Sequence, residues 1–173
     1  EASLREKVTA LTAFEYRRIA GRVQDVLARE PNVGADALVA LALPVTVERQ
    51  LNGMFVGLAS HLAADAVGMF EGIIFDVKFG ARQDFHRLTT TAYALVLESL
   101  SGYPIDVGCL VYVTFAGERV LVERDLHLID DELRQWFIEE RDERTRLVSE
   151  EIDPGKATAC PATCPYWQHC HPA

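Results

Sequence analysis

The sequence predicts an α/β fold: a mixed central β-sheet of about five strands flanked by helices. Three observations carry that expectation. Residues 73–79 alternate strictly, with Ile73, Phe75, Val77 and Phe79 on one side and Ile74, Asp76 and Lys78 on the other, which is the two-residue period of a strand. Apolar residues in 2–29 and 84–100 recur instead at three- and four-residue steps, the period of a helix. Along the chain the pattern runs helix, three strands, helix, two strands, helix, the order of a mixed sheet with covering helices.

Residues 2 to about 29 read as one long helix, with Leu4, Val8, Leu11, Ile19, Val23 and Val26 set between charges, closed by Pro31, Asn32 and Gly34. Residues 37–43 are apolar, and periodicity does not choose between helix and strand. From Pro44, Val45, Val47, Arg49 and Leu51 alternate with Thr46, Glu48 and Gln50, and Asn52-Gly53 then signals a hairpin. Residues 54–67 read as a long strand bent near Gly57, followed by a turn from Gly68 to Gly72. If that second hairpin is symmetric, residues whose numbers sum to 141 face each other, Asp65 and Asp76 among them. The helix over 84–100 carries Leu88, Ala92, Leu95, Val96 and Ser99 on one side and His86, Thr89, Thr90 and Tyr93 on the next stripe. Strands over 107–115 and 119–126 follow. A last helix starts near Asp130, where Asp130, Asp131 and Glu132 suit the positive helix start, and runs towards Ser149.

At 173 residues, 49% hydrophobic and 25% charged, the chain suits one domain with a sizeable core. We divide it into a main domain over 1–152 and a cysteine-rich tail over 153–173. No apolar run reaches the length of a membrane span and no leader pattern opens the chain, so no membrane partner is expected, and the cysteines crowded near the C-terminus favour a reducing cytoplasm. A chain that begins at Glu1 reads as trimmed. The net charge of −9 argues against gripping nucleic acid by bulk charge; a local basic patch, a metal or a partner would have to supply the attraction.

Asp76 and Lys78 stand on one face of an otherwise apolar strand, in a chain with only three lysines, and buried charges need a partner, a metal or a chemical role. Opposed aspartates with Cβ atoms roughly 4.5–5.5 Å apart can share a cation. Asp65, Asp76 and Lys78 thus suit metal-assisted phosphodiester cleavage, with Mg²⁺ or Mn²⁺ on the carboxylates and the lysine beside the phosphate. An ordinary surface ion pair is the competing reading of a bare Asp-x-Lys. Arg82, His86 and Arg87 follow directly and could hold phosphate. Cys160, Cys164 and Cys170 place three thiols in eleven residues, a spacing for a metal or cluster rather than a disulfide framework. Cys109, in the apolar strand 107–113, reads as a buried core thiol.

These residues resemble the PD-(D/E)xK nucleases, and within them the RecB-like, CRISPR-associated exonucleases with C-terminal cysteines. The resemblance spans about Pro44 to Cys170. It implies a restriction-endonuclease-like core in which Asp65 matches the aspartate ending one strand, Asp76-Val77-Lys78 the acid and lysine of the next, and Tyr93 the tyrosine of a helical Gln-x-x-x-Tyr pair. Thr89 stands where that glutamine is expected. No histidine occupies the first-helix metal position after Gly21, where Asp25 could supply an oxygen instead. The resemblance also implies an iron–sulfur cluster, [4Fe–4S], on Cys160, Cys164 and Cys170, with zinc completed by His169 or His171 as the alternative. The function it implies is a metal-dependent DNA exonuclease that prefers single strands and works with CRISPR adaptation proteins in spacer acquisition. A catalytically weak DNA-binding scaffold of an adaptation complex, or a RecB-like repair nuclease, are the alternatives.

Overall fold

Helix α1 (Leu4–Arg29) starts in a reciprocal cap: the Ser3 hydroxyl accepts from the Glu6 amide, and the Glu6 carboxylate accepts from the Ser3 amide. The computed structural model describes residues 3–68, 72–117, 119–156, 164 and 166–171. The chain divides into two compact units, Glu1–Phe137 and Ile138–Ala173. In the first, α1 and the short α2 (Ala35–Ala42) are followed by β1 (Val45–Leu51), β2 (Leu62–Gly68) and β3 (Ile73–Phe79), then α3 (Arg87–Ser101), β4 (Val107–Ala116) and β5 (Arg119–Leu128). Residues 37–43, left open by periodicity, are thus mostly helical.

The five strands form one sheet in chain order. β3 and β4 run parallel and every other neighbouring pair is antiparallel. A parallel pair needs a crossover, and α3 supplies it. The even-numbered residues of β3 and β4 share a face: Ile74 pairs with Gly108, Asp76 with Leu110 and Lys78 with Tyr112. Ile74, Ala94, Val96 and Leu97 join Leu51, Ala64, Val67, Ile105 and Ile129 in the main core.

Two local expectations are corrected. Residues 54–61 are not strand. The Asn52 side chain accepts from the Met54 amide, Met54–Val56 form a single 3-10 turn, and Gly57 closes it at a left-handed φ of 69°. Gly53 cannot carry a side chain there, because a Cβ would lie 2.7 Å from Leu58 Cβ and 2.9 Å from the Ala59 carbonyl. On α3 the deepest residues are Thr90, Thr91, Ala94, Val96 and Leu97; of the expected stripe Val96 is buried, while Leu88, Ala92, Leu95 and Ser99 lie less deep. Threonine can turn inward because a helical carbonyl takes up its hydroxyl, here that of Arg87 at 2.9 Å.

Gly108 makes room for a buried polar cluster. A Cβ there would lie 2.5 Å from His127 Nε2 and 2.8 Å from Thr90 Oγ1. Gly108→Ala is therefore expected to destabilise the protein by about 1–3 kcal/mol, seen as a lower urea midpoint at unchanged slope.

Helix α4 (Asp131–Ser149) begins where Asp130 Oδ1 accepts from the Leu133 amide. Arg134, in its first turns, gathers Glu98 of α3 through both oxygens (2.7 and 2.9 Å), the carbonyls of Ile105 and Ile129, and Asp106. In the second unit, Arg146 pairs with Glu143 and Glu150, and α5 (Trp167–Cys170) stacks Trp167 on His171. No helix among the described residues is long and apolar enough to cross a membrane.

Candidate functional site

The strand register places the two aspartates together. Ala66 pairs with Phe75 and Val67 with Ile74, numbers that sum to 141 in both cases. Backbone pairing stops there, and on the next rung the Asp65 carboxylate takes over, its Oδ2 accepting from the Val77 amide at 2.8 Å. Asp65 is thereby locked to the backbone of the strand that carries Asp76 and Lys78.

Asp76 is 4% exposed. Its Oδ2 lies 2.8 Å from Lys78 Nζ, and that ammonium is the partner of this buried oxygen. Burial is the largest influence on the carboxyl and raises its pKa; the Asp65 charge adds to the rise, and Lys78 opposes it. Lys78 also reaches Thr89 Oγ1 at 3.5 Å. Tyr93, one helical turn beyond Thr89, is half-buried. Burial first, then the charges of Asp76, Asp65 and Glu48, raise its phenol, which stays a hydrogen-bond donor at neutral pH.

Glu48 is a carboxylate that the sequence pattern did not single out. It interrupts β1 with a left-handed φ of 49°, between the pairs Val47–Ala66 and Arg49–Ala64, on the rung facing Asp65. Its only sequence signal was its place opposite an acid. His86 is another neighbour: Nδ1 meets the Tyr112 hydroxyl at 3.1 Å. Burial, then the Lys78 charge, lower its pKa against the pull of Asp76.

The remaining residues singled out from sequence lie elsewhere. Arg87 makes a two-point contact with Asp125 (3.0 Å each), and Arg82 reaches the same carboxylate at 2.9 Å. Burial would raise the Asp125 carboxyl, but the hydrogen bonds and charge of Arg87 and the charge of Arg82 outweigh it and hold the group low. Beneath this pair, His127 Nδ1 lies 3.1 Å from the Asp125 carbonyl, and Thr90 Oγ1 lies 3.0 Å from Nε2. Burial lowers the His127 pKa, and the neutral ring then donates from Nδ1 to the Asp125 carbonyl, leaving Nε2 and the Arg87 carbonyl as the two acceptors within reach of the one Thr90 hydroxyl hydrogen. No motif spacing in the sequence marks this cluster; Gly108, paired with His127, was the available clue.

Asp25 is exposed on α1, and no ion pair or hydrogen bond joins it to Asp65 or Asp76 among the described residues. Cys160 lies outside the described residues. Cys164 and Cys170 are free, half-buried thiols, and Cys109 is buried, its thiol pKa pushed up by burial. Among the described residues no group of three or more His, Cys, Asp or Glu side chains is placed to hold a metal ion. Two carboxylates are nonetheless enough for Mg²⁺, which keeps several waters and often binds through one or two acids plus substrate phosphates. The buried Asp76 carboxylate beside the Asp65 charge offers the oxygen donors that a hard cation takes.

Comparison with known proteins adds the following. A family model described as "CRISPR-associated exonuclease Csa1" matches residues 1–173. Two curated proteins with that same description are similar to the chain. One, from Thermoproteus tenax, is 34% identical over 167 residues, 96% of this chain and 58% of the relative. The other, from Saccharolobus solfataricus, is 35% identical over 141 residues, 82% of this chain and 48% of the relative. The chain thus spans about half the length of these relatives. A solved structure described as "Crystal structure of SSO0001" aligns with a TM-score of 0.37 at 17% identity, over 83% of this chain and 79% of that one.

Proposed function

The chain belongs to the CRISPR-associated exonuclease Csa1 family, and on that premise we propose that it carries the centre of a metal-dependent DNA exonuclease of the PD-(D/E)xK kind. The observation that carries this reading is the buried Asp76 carboxylate, set beside the Asp65 charge with the Lys78 ammonium at 2.8 Å. Asp65 and Asp76 would hold Mg²⁺ or Mn²⁺, and a cation bound there would polarise the scissile phosphate and activate a water.

The chain's own groups do the rest. Lys78, held by Asp76 and Thr89, meets the negative charge that builds on the phosphate. Tyr93 donates a hydrogen bond from its phenol to a phosphate oxygen and fixes the strand's approach. Arg82, with a side chain 48% exposed, would leave Asp125 to meet a neighbouring phosphate, while two-point Arg87 keeps Asp125 in place. Thr89, in the place of a longer glutamine, acts through Lys78. Asp25 would join the metal only by reaching across from α1, and we give it no role in the chemistry.

In the tail, Cys164 and Cys170 are soft donors suited to iron or zinc, and with Cys160 they would hold an iron–sulfur cluster, [4Fe–4S], that staples the 153–173 segment. The substrate is DNA with single-stranded ends, and the setting is CRISPR adaptation in the cytoplasm.

A DNA-binding scaffold is the competing reading, favoured by the want of a third metal-ligating side chain among the described residues. Titration calorimetry with Mn²⁺ separates the two. One site is expected on the wild type, weakened more than about tenfold in Asp65→Asn. Heat traces that are the same for both proteins would leave the scaffold reading standing.

A further inference from the structure

We propose that an aromatic groove on the reverse face of the sheet binds a nucleobase of single-stranded DNA, with Phe79 and Phe115 stacking the base and Lys7 holding its phosphate. The groove, about 890 Å³, runs between the start of α1 (Leu4, Lys7, Val8, Leu11) and the ends of β3 and β4 (Phe79, Val113, Phe115). Phe79 and Phe115 stand on the same face with ring planes 6° apart and centroids 6.5 Å apart. A near-parallel pair of rings is a platform that accepts any base, since every base has a π-face.

Three features choose the occupant. First, Phe79 is 63% exposed, so its ring is not used up in the core. Second, Lys7 Nζ lies 5.9 Å from the Phe115 centroid and makes no ion pair among the described residues. In a chain of net charge −9, an ammonium left without a carboxylate over an aromatic wall is complementary to a ligand that is both anionic and planar. Third, Phe79 directly follows Lys78. Strand side chains alternate, so the platform lies behind the candidate centre, and a chain rounding the end of β3 at Gly80 would touch both. Nothing stands within 4 Å of where a Gly80 Cβ would be, so that turn is open. A nucleotide satisfies all three features; an apolar partner would leave Lys7 unused.

The inference takes only the identity of the ligand, DNA, from the nuclease reading. It is tested without catalysis, by fluorescence anisotropy of a labelled ten-nucleotide oligothymidylate in EDTA, on the full chain. Phe79→Ala and Lys7→Gln are each expected to bind about 5- to 10-fold more weakly than wild type. Phe79→Trp is expected to restore affinity, with its fluorescence quenched on binding, which a structural role would not produce. Unchanged affinity in both weakened variants overturns the proposal. So does a concentration-dependent dimer, seen by light scattering, that Phe79→Ala dissolves without changing DNA affinity, for the groove would then be a self-association surface. Wild type that binds through Phe79 but never cuts with Mn²⁺ would keep the groove and retire the nuclease reading.

Discussion

Asp76→Asn is expected to cut single-stranded DNA more than about 100-fold more slowly than wild type. Even partners of metal ligands cost 10- to 100-fold when lost, and Asp76 would be a ligand itself. The comparison must be made on folded protein, and the environment of Asp76 favours that. Its carboxyl is raised by burial, and a carboxyl whose folded pKa lies above its unfolded value weakens the fold once ionised. Its ionised form costs stability in full above the raised pKa; the cost shrinks as pH falls below that value and is gone below the unfolded one. Asparagine removes the charge without changing the shape, so the variant should stay folded. A metal-linked readout accompanies the rate. Mn²⁺ at about 100 times its dissociation constant should stabilise wild type by about 2.7 kcal/mol and leave Asp76→Asn nearly unmoved in a thermal melt. A variant that cuts at the wild-type rate would refute the assignment of Asp76.

Arg134→Ala is expected to destabilise the fold by about 3–5 kcal/mol, because it strands the half-buried Glu98 carboxylate and the Ile105 and Ile129 carbonyls together. For a chain of this size that is roughly a 6–20 °C fall in melting temperature. The same pair sets the acid limit of the fold. Burial pushes the Glu98 carboxyl up, but the Arg134 fork, the Ile105 amide and the Arg134 charge together hold it below its ordinary value. Its contribution is therefore complete above the unfolded carboxyl pKa and is lost as pH falls through the lower folded one. Asp125, also held low, acts in the same window. A wild-type acid titration followed by circular dichroism should unfold below about pH 4, and Arg134→Ala should flatten that dependence.

Much of this architecture was legible from periodicity. The helices over Leu4–Arg29 and Arg87–Ser101 and the alternation of β3 follow from where water-avoiding side chains recur, and the hairpin register followed from symmetry about a short turn. What escaped was decided by polar groups satisfying one another. Residues 54–61 carried enough apolar side chains to pass for strand, but a side-chain oxygen on Asn52 and the crowding at Gly53 close a local turn instead. Thr90 and Thr91 count as polar in any hydropathy pattern, yet a helical carbonyl makes them fit for the interior. Arg82 and Arg87 were read as phosphate contacts, and only the fold reveals Asp125 between them. Glu48 depends on a single backbone dihedral, which no residue pattern announces.

That dihedral has a consequence for solubility. β1 is an outermost strand, and the amides and carbonyls of a flat outermost strand invite another chain to add itself and extend the sheet towards a fibril. A left-handed residue in mid-strand, with the exposed charges of Glu48 and Arg49, spoils the straight template such an addition requires. The kink that brings an acid near the centre would also guard this border of the sheet against aggregation.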